Sequence, residues 1–148
     1  MATGKTHSRY IKILLDDSGG TARDITSSIS SIGDIGLTNE QVDVTTLSDA
    51  VMQYLSGRGD STIELGGPFN NTATTGAHGV LSGLVGGNTA ATLTIQIGIR
   101  AAATTGDPEW EGEYVVTAYT VNVGMNDVSW SATLKPAFGT STPAWGTV

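Results

Sequence analysis

Cysteine is absent from the 148 residues. That omission excludes disulfide scaffolds, thiolate zinc sites, iron–sulfur clusters and cysteine nucleophiles together. It also leaves the chain indifferent to redox compartment. Cations are scarce: seven Lys and Arg stand against fourteen Asp and Glu, a net charge of −7 and a pI near 4.5. Gripping nucleic acid or anionic lipid needs clustered cations, so neither fits. A protein that nucleic acid must pass without sticking remains compatible with this balance. Charge of either sign is thin, 14% of residues against about 25% in an ordinary soluble chain. No apolar run approaches the ~18 residues of a membrane-spanning helix. The polar start Met1 to Arg9 lacks the apolar stretch of a secretory signal. A soluble chain made in the cytosol is the expectation.

What is present is Gly, Thr and Ser, a surface suited to β-structure that meets neighbours. At 15.2 kDa one domain over residues 1–148 is expected, with a flexible N-terminal segment (about 1–8). Ile11, Ile13 and Leu15 share one face opposite Lys12, a half-buried strand ended by Asp16-Asp17-Ser18-Gly19-Gly20. Ile25, Ile29 and Ile32 fall at helical spacing behind Asp24, but the Ser and Thr between them are poor helix formers, which favours a strand. Gln41 to Leu47 and Ser61 to Leu65 alternate as strands, and the excursion from Ser48 to Asp60 reads as a long, functional loop. A helix is expected over Thr75–Val85, capped by Thr75, with Ala77, Val80, Leu81, Leu84 and Val85 on one face. Its glycines cost about 1 kcal/mol each relative to Ala, so packing must hold it. Leu93, Ile95, Ile97 and Ile99 alternate next. Glu113–Val123 and Val128–Lys135 form an antiparallel hairpin around Gly124-Met125-Asn126-Asp127. The tail (about 136–148) carries Phe138 and Trp145, two aromatics that imply docking. Together these give a mainly β fold, a sandwich or barrel of about seven strands with one flanking α-helix.

No catalytic, cofactor or metal site emerges. Gly4-Lys5-Thr6 lies too near the N-terminus for the strand and upstream Gly of a phosphate loop. Gly59-Asp60-Ser61 resembles an esterase block, yet His7 and His78, the two histidines, are not placed to serve as its base. Arg58-Gly59-Asp60 reads as turn chemistry, and Asn70-Asn71-Thr72 lacks a secretory context. Asp107, Glu109, Glu111 and Glu113 lack calcium-loop spacing and read as an acidic, solvated loop around Trp110.

One stretch carries more. Val42-Asp43-Val44-Thr45-Thr46-Leu47-Ser48-Asp49, then Tyr54-Leu55-Ser56-Gly57, then Asp60 through Gly67-Pro68-Phe69 resembles the tail tube (major tail) protein family of long-tailed bacteriophages. Ala22 to Ile32 is similar to the Asp-Ile-Ser element of that family, which there is a strand. The resemblance implies a β-sandwich with one flanking helix that forms hexameric rings. These would stack into a tube around a tape-measure protein, beside other tail proteins, within the virion of a phage assembled in host cytoplasm. Double-stranded DNA would leave through a negatively lined bore without specific binding, and no membrane is involved. Closing a ring would also cover sheet edges that a lone subunit leaves open. On this reading the candidate contacts between subunits or rings are Leu47, Val51, Met52, Tyr54, Leu55, Arg58, Asp60, Asp107, Glu109, Trp110, Phe138 and Trp145. The alternative is a monomeric β-sandwich that binds carbohydrate or decorates a virion through Trp110, Tyr114 and Trp130.

Overall fold

Successive side chains of an extended chain point to opposite faces, so alternating sequences can bury one face whole. The computed structural model describes residues 2–148, and among these are ten strands and one α-helix. The strands are β1 (Ile11–Asp16), β2 (Ala22–Asp24), β3 (Ser31–Ile32), β4 (Thr38–Asp43), β5 (Tyr54–Asp60), β6 (Ile63–Pro68), β7 (Ala91–Ile97), β8 (Pro108–Val123), β9 (Val128–Pro136) and β10 (Ala144–Thr147). Eight of them form one antiparallel sheet in the order β2-β1-β7-β8-β9-β6-β3, with β10 alongside β8. β4 and β5 pair only with each other.

The inward face of the large sheet carries Ile13, Leu15, Ile63, Leu65, Leu93, Ile95, Trp110, Tyr114, Trp130 and Leu134, all buried. Helix α1 (Ala77–Leu84) packs on it through Ala77, Val80, Leu81 and Leu84. Eight residues with Gly79 and Gly83 inside do not hold a helix in water. Burial supplies what propensity lacks, at about 1.5–3 kcal/mol for each large aliphatic side chain. A buried hydrogen-bond chain crosses the core: Trp110 Nε1 donates to the Tyr114 hydroxyl (2.9 Å), which lies 2.8 Å from Ser61 Oγ.

Residues 22–32 join the two outer edges of this sheet. β2 lies against β1, β3 lies against β6, and a 3-10 turn (Thr26–Ser28) connects them. This strap is neither the helix allowed by its spacing nor the single strand expected for it. Ser and Thr dominate the stretch, and their side chains compete for backbone bonding: Thr26 Oγ1 donates locally to Asp24 and accepts from the Ile13 N–H of β1. Ile25 is still fully buried.

Ser28 organises the junction of strap and helix. Its Oγ accepts from the Ala77 N–H and from Asn70 Nδ2, both at 3.1 Å, while the Ser28 carbonyl accepts from Trp130 Nε1 at 3.1 Å. The N-cap position therefore falls at Gly76 rather than Thr75, and Ser28, 49 positions before Ala77, supplies the capping side chain. A Cβ at Gly76 would meet backbone at 2.6–2.7 Å, so glycine is required there. Ser28→Ala is expected to cost about 1–2 kcal/mol by stranding a helix N–H, read as a lowered thermal midpoint.

Other boundaries also move. The strand expected over Gln41–Leu47 lies at Thr38–Asp43, and the second half of the supposed loop is β5. Ile99 leaves β7 because the chain folds back at Gly98, where a Cβ would meet the Ala101 carbonyl at 2.0 Å. The acidic stretch is strand rather than solvated loop: β8 starts at Pro108, pairing with β7 on one edge and β10 on the other. The tail contributes β10, whose Trp145 meets Trp110 edge-on at 5.2 Å. In the N-terminal segment Thr6 Oγ1 donates to the Gly98 carbonyl and accepts from the Arg100 N–H. Met1 lies outside the described residues.

Candidate assembly interface

β4 and β5 form an arm outside the sheet, and nearly every residue of it is exposed. Val42, Leu55 and Tyr54 lie along it. Its tip carries Val44, Leu47, Val51 and Met52, with Leu47 fully exposed. The tip is nonetheless built. The Val44 N–H donates to the Gln53 carbonyl (3.0 Å) and the Gln53 N–H to Thr45 Oγ1 (2.9 Å). Asp49 Oδ2 accepts from the Thr46 N–H (2.8 Å) and Asp43 Oδ1 from the Thr45 N–H (2.9 Å). Polar groups thus fix the turn while apolar ones face solvent, a pre-organised arrangement that lowers the entropy cost of docking.

The surface area makes the same point for the whole molecule. A folded monomer of this mass exposes about 7,100 Å². This chain exposes 8926 Å². The excess, roughly 1,800 Å², is about twice the ~800 Å² that one partner contributes to a standard protein interface.

Hydrogen bonds from Thr45, side chain before backbone, hold the Asp43 carboxyl below its usual 3.8. At the base of the arm Asp60 is lowered too, first by the Lys135 ammonium, whose Nζ lies 3.2 Å from Oδ2. A carboxyl lowered on folding supports the fold above its unfolded pKa and loses that support as pH falls through its folded value. Amide exchange at the tip, corrected for intrinsic rate, is therefore expected to accelerate below pH 3.8 while the core strands stay protected.

The outward face of the large sheet is polar and acidic. The registers place Lys12, Gln96 and Glu109 in one row and Leu14, Thr94 and Glu111 in the next. Glu113 lies opposite Thr92, Glu64 opposite Thr133, and Asp24 opposite Leu14. Gln96 Nε2 donates to Glu109 at 3.0 Å, and Thr92 Oγ1 donates to Glu113. Lys12 and Lys135 are the cations of this face.

Leu47, Val51, Met52, Tyr54, Leu55, Arg58 and Asp60 thus share one projecting arm. Asp60 is taken by Lys135, so Arg58-Gly59-Asp60 is strand, not a free turn. Phe138 is fully exposed and Trp145 about half exposed, each apart from the arm in the fold's C-terminal part. Asp107 and Trp110 do not present themselves to a partner: both are buried, Asp107 accepting from the Thr104 N–H at 2.8 Å. Trp110, Tyr114 and Trp130 are all at most 3% exposed, which removes the aromatic platform that a sugar-binding module requires. Missed in the sequence were Val121, Val123, Met125 and Val128, an exposed apolar cluster at the β8–β9 turn. A methionine at the tip of a polar hairpin was the available signal. Among the described residues no group of three or more His, Cys, Asp or Glu could hold a metal ion, and no helix is long and apolar enough to cross a membrane.

No protein-family model and no curated protein sequence matches the chain. Solved structures do. A chain in the virion of a native gene transfer agent particle superposes with a TM-score of 0.70 at 16% identity, covering 96% of this chain and 99% of that one. A chain in the tail of an empty gene transfer agent particle, refined with C6 symmetry, gives 0.68 at 20% identity, covering 95% and 100%. A chain in the sheath–tube complex of an extracellular contractile injection system gives 0.65 at 10% identity, covering 97% and 93%. Near-complete coverage in both directions, across the sheet, the flanking helix and the projecting arm, gives this chain the fold of those gene transfer agent and contractile sheath–tube chains.

Proposed function

We propose that this chain is the structural subunit of a phage tail tube. Copies join into rings, six to a ring as in the C6 tail that it resembles, and rings stack into a hollow tube. The observation that carries this reading is the built but uncovered arm, together with surface well beyond that of a self-contained monomer. Leu47, Val51, Met52, Tyr54, Leu55 and Arg58 on the arm, with Phe138 and Trp145, are the contacts proposed between subunits. The outward sheet face, with Glu64, Glu109, Glu111 and Glu113, lines the bore. Duplex DNA carries one negative charge per ~1.7 Å, so a basic bore would hold it, whereas an acidic bore lets it slide. A tape-measure protein occupies the bore during assembly, and the finished tube belongs to the virion of a phage built in host cytoplasm. The role is mechanical and assigns no catalysis.

Negative-stain images of the purified chain at rising concentration test it. Rings or tubes of uniform diameter are the expected result. A monomer at every concentration, even beside a tail initiation complex, would sink the reading.

A further inference from the structure

β5 runs into β6 through a corner of two residues, Ser61 and Thr62, and this corner decides which way the arm leaves the sheet. Neighbouring side chains of an extended chain point to opposite sides, and here both sides are tied. On the inner side Ser61 is 1% exposed, and its Oγ lies 2.8 Å from the Tyr114 hydroxyl that also accepts from Trp110. On the outer side the Lys135 ammonium reaches Asp60 Oδ2 at 3.2 Å and donates to Thr62 Oγ1. Thr62 Oγ1 in turn donates to the same carboxylate. Lys135 stands one residue beyond Leu134, whose pairing with Ile63 ends the β6–β9 ladder. Its side chain therefore spans the corner rather than the sheet.

The rest of the arm root is held less firmly. The other connection, residues 34–37, contains Gly36 at φ +147° with open space where a Cβ would lie. Beside it is a concavity of about 560 Å³ lined by Ile35, Leu37, Glu40, Arg58 and Asp60. Neither β4 nor β5 pairs with a strand of the large sheet. A ribbon attached through two short connections turns about the residues that join it, unless those residues are fixed.

We propose that Lys135 is a positioning residue of assembly: by holding Asp60 and Thr62 on the outer side of the corner, opposite the Ser61–Tyr114 bond, it fixes the angle at which the arm projects. Its service to assembly rests on the self-assembly reading above, whereas the clamp itself lies inside one subunit and is tested there. Global stability is not its role, because an exposed ion pair contributes little to it. Fixing a ribbon that would otherwise turn lowers the entropy the arm loses on meeting a partner. Asp60 thus acts within its own subunit, and Lys135 is not a free cation of the acidic face.

The cysteine-free chain accepts two nitroxide labels cleanly, at Ala50→Cys in the arm tip and Asn122→Cys on β8, both exposed positions. Diluting the labelled chain with unlabelled chain keeps the electron–electron distance measurement within one subunit. A single narrow distance distribution is expected for the parent. Lys135→Met is expected to broaden and shift it while the thermal midpoint stays in place. Lys135→Arg, which keeps the charge and the donors, is expected to restore the narrow distribution. Asp60→Ala is expected to match Lys135→Met, and the double substitution to add nothing. Raising salt from about 0.01 M to 1 M shortens the screening length from about 30 Å to 3 Å. That change is expected to broaden the parent distribution and leave Lys135→Met unmoved. A Lys135→Met distribution that coincides with the parent's would overturn the clamp, as would further broadening in the double substitution. Asp60→Ala reads the same contact from the arm side should Lys135→Met fail to fold. Both labels sit on one subunit, so failure of the clamp and failure to form rings are separate results.

Discussion

Leu47→Asp is expected to abolish rings and tubes while leaving the free subunit as stable as before. Leu47 is fully exposed at the tip of the arm and makes no contact with the buried core. Surface substitutions of this kind move stability by no more than about 0.5 kcal/mol. A central apolar anchor of an interface contributes about 2 kcal/mol or more, roughly a thirtyfold rise in the concentration needed to assemble. Burying the new carboxylate adds a desolvation cost. Paired measurements read the contrast: thermal unfolding in dilute solution and particle counts by negative stain. Rings at the original concentration would remove Leu47 from the interface. A large fall in thermal midpoint would instead make the arm part of the subunit's own core.

Trp130→Ala is expected to do the reverse, crippling the subunit itself. Trp130 is 3% exposed, lies beside Tyr119 with ring centroids 6.1 Å apart, and donates to the Ser28 carbonyl. Truncating a buried Trp costs about 3–5 kcal/mol, and stranding the carbonyl adds about 1 kcal/mol. For a domain of this size each kcal/mol lowers the midpoint by about 2–4 °C, so a fall of roughly 10 °C or more follows. Trp130→Phe separates the two contributions, because it keeps much of the bulk and removes the N–H. A loss near 1–2 kcal/mol is expected for it. If Trp130→Phe proved as damaging as Trp130→Ala, the strap contact rather than core packing would dominate.

These two side chains also mark where local pattern informs and where it stops. Trp130 sits in the alternation Val128, Trp130, Ala132, Leu134, which marks one face for core or interface; Trp130, Ala132 and Leu134 are buried, and Val128 beside the turn is exposed. The β8–β9 hairpin and the existence of α1 were legible for similar reasons, since periodicity depends on near neighbours alone. Leu47 was legible as a candidate contact through its place in a resembling motif, but not as the apex of a turn. That geometry arises from Asp43, Thr45, Asp49 and Gln53 bonding across the tip. The acidic stretch misled because Asp107 to Glu113 looks solvated one residue at a time. Its alternation, with Trp110 and Tyr114 inward and Glu109, Glu111 and Glu113 outward, becomes decisive only once β7 and β10 lie on either side.

By itself the sequence determined the β-rich class, the acidic balance without a cationic footprint, and the absence of any thiol. Each follows from composition or from a two-residue period and needs no partner distant in the chain. Only the tertiary structure decided that residues 22–32 close the sheet as a strap, that Ser28 caps a helix far along the chain, and that β4 and β5 pair with no strand of the large sheet. Those outcomes depend on which strand edges meet. Hydrogen bonding between edges is blind to side-chain identity, so pairing is settled by the whole fold, and with it which apolar residues are left uncovered for another copy to bury.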